Sequence, residues 1–200
     1  LLNISFSYGS KEILENIDLE IKKEQFTGII GKTGVGKSTL IHIVSGLLEP
    51  TKGEIKIDGK NLLKKDQFNL LNEVGYVPQK ISLNDDTILS NIAIGVKKSE
   101  IDYKKIEFVT KVCQLNEFVE NLPEKLESYV GEDGVLLSGG QIQRIGLARA
   151  LYFDPSLIII DEGTSGLDEN TQNNLISSLK NFTNNISVLI VTHRNEILKF

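Results

Sequence analysis

The chain has 200 residues, enough for one domain with a full core. Its 22 basic and 27 acidic residues leave a net charge of −5, without the basic excess of a sequence-independent nucleic-acid binder, so no nucleic-acid partner is expected. Apolar runs are strand-length, well short of the roughly 20 residues a transmembrane helix needs, and the single Cys113 excludes an internal disulfide and reads as a small core filler in a helix.

The sequence enters a strand-like pattern at Leu1-Leu2-Asn3-Ile4, shows no signal peptide and contains no Met, and so reads as a fragment whose natural start lies upstream. Residues 2–8 and 17–21 alternate as two early strands, with a turn near Gly9-Ser10. Phe26–Ile30 is a short apolar strand. Leu40, Ile43, Val44 and Leu47 then fall at helical spacing and predict a buried stripe, closed by Gly46 and Pro50-Thr51. Gly53–Lys60 reads as a strand running into a tight turn, and 74–78 as another strand stopped by Pro78. From about 84 to 130 the pattern is helical and more polar, with apolar positions at Ile106, Val109 and Val112. A helix over 138–152 precedes Leu157–Ile160 and Ile186–Val191, two runs that fit strands buried on both faces, as in a parallel sheet. The pattern is that of an α/β nucleotide-binding core interrupted by a helical insertion.

Three features carry chemistry. Gly31-Lys32-Thr33-Gly34-Val35-Gly36-Lys37-Ser38 stands between an apolar strand and an amphipathic helix, the arrangement that lets backbone N–H groups and a helix N-terminus cradle phosphates. Lys37 is expected to neutralise the β- and γ-phosphates, and Ser38 to offer its hydroxyl to Mg²⁺. Asp161-Glu162 ends an apolar strand where open α/β sheets hold their ligands, which predicts Asp161 as a Mg²⁺ residue and Glu162 as the group polarising the attacking water. Ser138-Gly139-Gly140-Gln141 has capping-box spacing. Two glycines inside it lower helix propensity and clear side chains from a backbone that an anion could approach. A second anion-seeking helix start beside a P-loop suggests a phosphate gripped from two sides.

In chain order the motifs GKTGVGKST, YVPQ, LSGGQ, IIIDE, SGLD and a His after a strand resemble the nucleotide-binding domain of ABC transporters, over about residues 2 to 194. LSGGQ shortly before the DE strand decides the assignment. The resemblance implies a P-loop NTPase core with a mostly parallel sheet (about 1–80 and 155–200), an N-terminal antiparallel β part and a helical subdomain (about 81–154). It implies ATP held by Gly31, Thr33, Gly34, Gly36, Lys37, Ser38 and Thr39, with Tyr8 stacking on adenine. Mg²⁺ would be held by Ser38, Asp161 and Gln79, the glutamine that also relays to the membrane partner. Ser138, Gly139, Gly140 and Gln141 resemble the signature that binds the γ-phosphate of ATP held by the opposite subunit. Asp168 matches the loop that crosses the dimer interface, and His193 the histidine that orients the hydrolytic water. His42 matches no motif and is expected to be structural.

The stretch Gly163-Thr164-Ser165-Gly166 departs from the family, which more often has Ala at both glycine positions. Leu83-Asn84-Asp85-Asp86-Thr87-Ile88-Leu89-Ser90-Asn91-Ile92 and Val130-Gly131-Glu132-Asp133-Gly134 resemble elements of exporter-type domains, the second being one that contacts the coupling helices of the membrane domain. The resemblance therefore implies an ATPase that works as a head-to-tail pair, a homodimer by its intact motifs. It also implies a membrane domain fused upstream and a place at the cytoplasmic face of the inner membrane. A non-transport ABC ATPase, of the translation or DNA-repair type, is the alternative; those proteins carry tandem cassettes or long coiled-coil insertions.

Overall fold

Leu157–Asp161 and Ser187–Thr192 are runs of branched apolar residues with too few polar positions to leave a face in water, and such runs are stable only as inner strands. The computed structural model describes residues 1–63, 66–161, 169–182 and 186–192, and it falls into two units. The first comprises Leu1–Tyr76 and Ser156–Asp161 with the strand over 187–192. Its centre is a four-stranded sheet in the order β3 (Phe26–Ile30), β9 (Ser187–Thr192), β8 (Leu157–Asp161), β7 (Val74–Val77). β9 lies parallel to both neighbours, with Ile30 opposite Thr192 and Asp161 opposite Val191. Every residue of β9, and of β8 from Ile158 onward, is buried.

A second sheet of the same unit is antiparallel, in the order β2 (Lys11–Ile17), β1 (Leu2–Tyr8), β4 (Lys52–Glu54). The helix after β3, α1 (Lys37–Val44), packs on both sheets: Ile41 and Val44 join Ile159, Leu189 and Val191, while Leu40 and Ile43 join Ile4, Phe6 and Leu14. Burial of these side chains, each worth about 1.5–3 kcal/mol, fixes the helix that follows the P-loop.

Three expectations are corrected. The second early strand is Lys11–Ile17, not 17–21, because a two-residue turn at Gly9-Ser10 pairs Tyr8 directly with Lys11. Beyond Ile17 the Asp18 carboxylate accepts the N–H of Asn3 at 2.7 Å in place of a ladder bond. Leu47 is not part of the buried stripe. Gly46, at φ 79, turns the chain out of the helix, the Leu47 N–H donates back to the carbonyl of His42, and the side chain is 54% exposed. The run 53–60 is two strands, broken at Ile55: β4, and then β5 (Lys56–Ile57), which pairs with β6 (Lys60–Asn61) through Asp58 and Gly59 at φ 49 and 77, the signature of a type I′ hairpin turn.

Among its described residues the first unit also holds the helix α2 (Gln67–Glu73). The second unit comprises Val77–Pro155 with the helix over 169–182. Its elements are α3 (Ile88–Ile92), α4 (Tyr103–Val112), α5 (Asn116–Glu120), α6 (Gly139–Tyr152) and α7 (Glu169–Phe182). Ile106, Val109 and Val112 of α4 are buried, as their spacing predicts, and Asp102 caps that helix by accepting the N–H groups of Lys104 and Lys105. Cys113 is fully buried, where burial pushes its thiol pKa up and keeps it protonated.

Candidate nucleotide site

The P-loop is made by backbone conformation. Gly34 and Gly36 have φ of 84 and 97, the left-handed region that side chains disfavour. A Cβ on Gly36 would also lie 2.8 Å from Leu14, so β2 packs directly against the loop at that point. Gly34 faces open space. Lys37 folds back over the loop, its ammonium donating to the carbonyls of Gly31 at 2.9 Å and Lys32 at 3.0 Å. Thr33 and Ser38 are exposed and Thr39 is buried.

α1 has no side-chain cap and no acidic residue in its first turn. Among the described residues no side-chain cap or first-turn carboxylate offsets its positive dipole end, the electrostatic condition for binding a phosphate. The residues fit a nucleoside triphosphate. β3 and β8 run in the same direction at matched register, so the P-loop and Asp161 stand at the same edge of the sheet, its carboxyl edge.

Asp161 is 8% exposed, and its Oδ2 accepts a hydrogen bond from the Tyr76 hydroxyl at 3.3 Å. Burial first, then the Asp161 charge and this hydrogen bond, push the Tyr76 pKa up to about 12, so the phenol is a protonated donor at neutral pH. The Tyr76 ring meets His42 of α1 edge-on, with centroids 6.3 Å apart. Among the described residues no three His, Cys, Asp or Glu side chains converge on one point. One buried carboxylate and one P-loop hydroxyl nevertheless suit Mg²⁺, which is commonly held by one or two carboxylates together with substrate phosphates. Tyr8 ends β1, 55% exposed and edge-on to Phe6 at 4.8 Å, which leaves ring surface for a planar ligand.

In the second unit Gln79 is exposed. Ser138 caps α6 in a full capping box: its hydroxyl accepts the N–H of Gln141 at 3.3 Å, and its own N–H donates to the Gln141 side chain at 2.7 Å. No acidic residue lies in the first turn of α6, and Gly139 faces open space, so its backbone is approachable. Ahead of it, Val135 and Leu136 are 76% and 70% exposed. Glu162, Asp168 and His193 lie outside the described residues, as does the stretch 163–166.

Three groups escaped the reading of the sequence. Besides Tyr76, Arg149 of α6 donates to the carbonyl and side-chain oxygens of Asn91 at 2.8 and 3.1 Å and to the carbonyl of Ser82 at 3.0 Å. Arg144 joins the carbonyls of Gly140 and Gln114, and Gln114 reaches Ser178 of α7. Only the helical positions of the two arginines were legible; apart from Gly140, their partners are 30 or more residues away.

The sequence pattern of the ABC transporter family matches residues 14–165. An ATP-dependent lipid A-core flippase of Coxiella burnetii is 40% identical over 96% of this chain and 33% of that protein. Multidrug resistance protein 4 of Entamoeba histolytica is 38% identical over 97% of this chain and 15% of that protein. A bacterial Atm1-family ABC exporter solved with ATP bound superposes with a TM-score of 0.90 at 31% identity, over 98% of this chain and 35% of that one. The chain thus spans about a third or less of the length of these relatives. Among the described residues no helix is long and apolar enough to cross a membrane.

Proposed function

The chain belongs to the ABC transporter family as an ATPase domain of the exporter type, and from that premise we propose that it hydrolyses ATP to drive export by a membrane domain. One observation carries the reading: a P-loop whose helix starts with neither cap nor acid, in a chain that also presents a glycine-opened helix start at Ser138. The P-loop backbone and Lys37 hold the β- and γ-phosphates, with Gly31, Thr33, Gly34, Gly36 and Thr39 shaping the cradle and Tyr8 stacking on the base. Ser38, Asp161 and Gln79 would hold Mg²⁺. When bound, that ion would neutralise the charge that develops during phosphoryl transfer.

Glu162 polarises the attacking water and His193 orients it. Ser138, Gly139, Gly140 and Gln141 engage the γ-phosphate on a second copy of the domain, and Asp168 crosses the interface between the copies. Closure of the pair around two ATP molecules is a coupling free energy delivered to the membrane domain. The loop Val130–Gly134, with the exposed Val135 and Leu136 beside it, meets that domain at the cytoplasmic face of the inner membrane. The names of the relatives include a lipid A-core flippase and a multidrug resistance protein; in this family the choice of cargo lies with the membrane domain. Glu162→Gln tests the chemistry. ATP binding is expected to persist while hydrolysis falls by about 100-fold or more, within the range of a positioned general base. Turnover at the wild-type rate would remove Glu162 from its role.

A further inference from the structure

Asp161 is fixed along its strand by the ladder to β9, but nothing in that ladder fixes the plane of its carboxylate. The last torsion of an Asp side chain is broad and roughly two-fold, so hydrogen bonds to its oxygens set which way they point. One such bond comes from Tyr76, on the strand beside β8, at 3.3 Å from Oδ2. The phenol is itself seated: its ring meets His42 edge-on at 6.3 Å. His42 lies four residues after Ser38 on α1, and therefore on the same helix face. One side chain thus touches the acidic strand at Asp161 itself and the P-loop helix at His42, one turn after Ser38.

We infer that Tyr76 is a positioning residue for the cation site, fixing the Asp161 carboxylate through its hydroxyl and the P-loop helix through its ring. The inference rests on the proposed role of Asp161 in holding Mg²⁺. Groups that orient a metal-holding side chain change metal affinity by about 10- to 100-fold when removed; with a water able to replace one phenol, the effect here is about 3- to 10-fold.

The test uses the purified full-length protein with the non-hydrolysable analogue adenylyl imidodiphosphate and Mn²⁺ as the probe cation. The quantity read is the cation's gain in nucleotide affinity: the dissociation constant in EDTA divided by that with Mn²⁺. The resonance line shape of bound Mn²⁺ gives a second readout. Tyr76→Phe is expected to lower the gain about 3- to 10-fold, alter the line shape and leave the affinity in EDTA unchanged. Asp161→Asn is expected to abolish most of the gain, and the double variant to match Asp161→Asn alone. A wild-type gain in Tyr76→Phe, with the gain lost in Asp161→Asn, overturns the role of Tyr76 and leaves that of Asp161 intact. A wild-type gain in Asp161→Asn overturns the reading of Asp161, and the inference falls with it. A change in the EDTA affinity of Tyr76→Phe matching the change in Mn²⁺ assigns Tyr76 to packing alone.

Discussion

Lys37 holds the P-loop closed with its own charge, bonded to the carbonyls of Gly31 and Lys32. Bound phosphate offers that ammonium a charged acceptor instead, and a hydrogen bond between charged groups is worth about 1.5–3 kcal/mol. Lys37→Ala is therefore expected to weaken ATP binding about 10- to 100-fold with little change in folding, as measured by calorimetric titration against thermal unfolding; an unchanged affinity would take Lys37 out of the site. The placement of Lys37 and Asp161 at the carboxyl edge of the sheet was legible because it is set locally: a glycine spacing bends one loop, and an apolar run ends at one carboxylate. Tyr76 was not, because the contact that gives it a role spans 85 residues and exists only once β7 and β8 share a sheet. The contact between Asn91 and Arg149 was hidden for the same reason, since it spans 58 residues.

At the scale of elements, α6 carries two separable properties. Its capping box contributes about 1 kcal/mol, so Ser138→Ala should lower the unfolding temperature by about 2–4 °C and also weaken ATP-driven association. Ser138→Asn keeps a good cap but fills the exposed helix start; it should restore the unfolding temperature without restoring association. Recovery of both would reduce Ser138 to a cap. The fully buried Asn91 joins α3 to α6 and to the segment before it, accepting from Arg149 and donating to the carbonyls of Asn84 and Thr87. Asn91→Ala leaves those partners unsatisfied and should cost about 2–4 kcal/mol in urea unfolding; a loss below about 0.5 kcal/mol, the size of an ordinary surface change, would refute the buried network. The inner strands were readable because burial on both faces writes an unbroken apolar run. The second early strand and the end of α1 were misread where side-chain and turn chemistry overrode periodicity: the Asp18 carboxylate took an N–H from the ladder, and Gly46 ended the helix one turn before Leu47.

At the scale of the molecule, each unit presents one helix start fit for an anion, α1 in the first and α6 in the second. A P-loop already matches the charge of the phosphates it holds, so the second helix start acquires a purpose when it serves a nucleotide on another copy. LSGGQ is the stretch of the sequence from which that proposal starts. The central claim is that two copies share the ATP between them. It is tested most directly by the ATPase rate per molecule as a function of protein concentration, beside Glu162→Gln sized by gel filtration with ATP. The rate per molecule is expected to rise with concentration, and the variant to persist as a dimer with ATP. A rate independent of concentration, from a protein that stays monomeric with ATP, would contradict it.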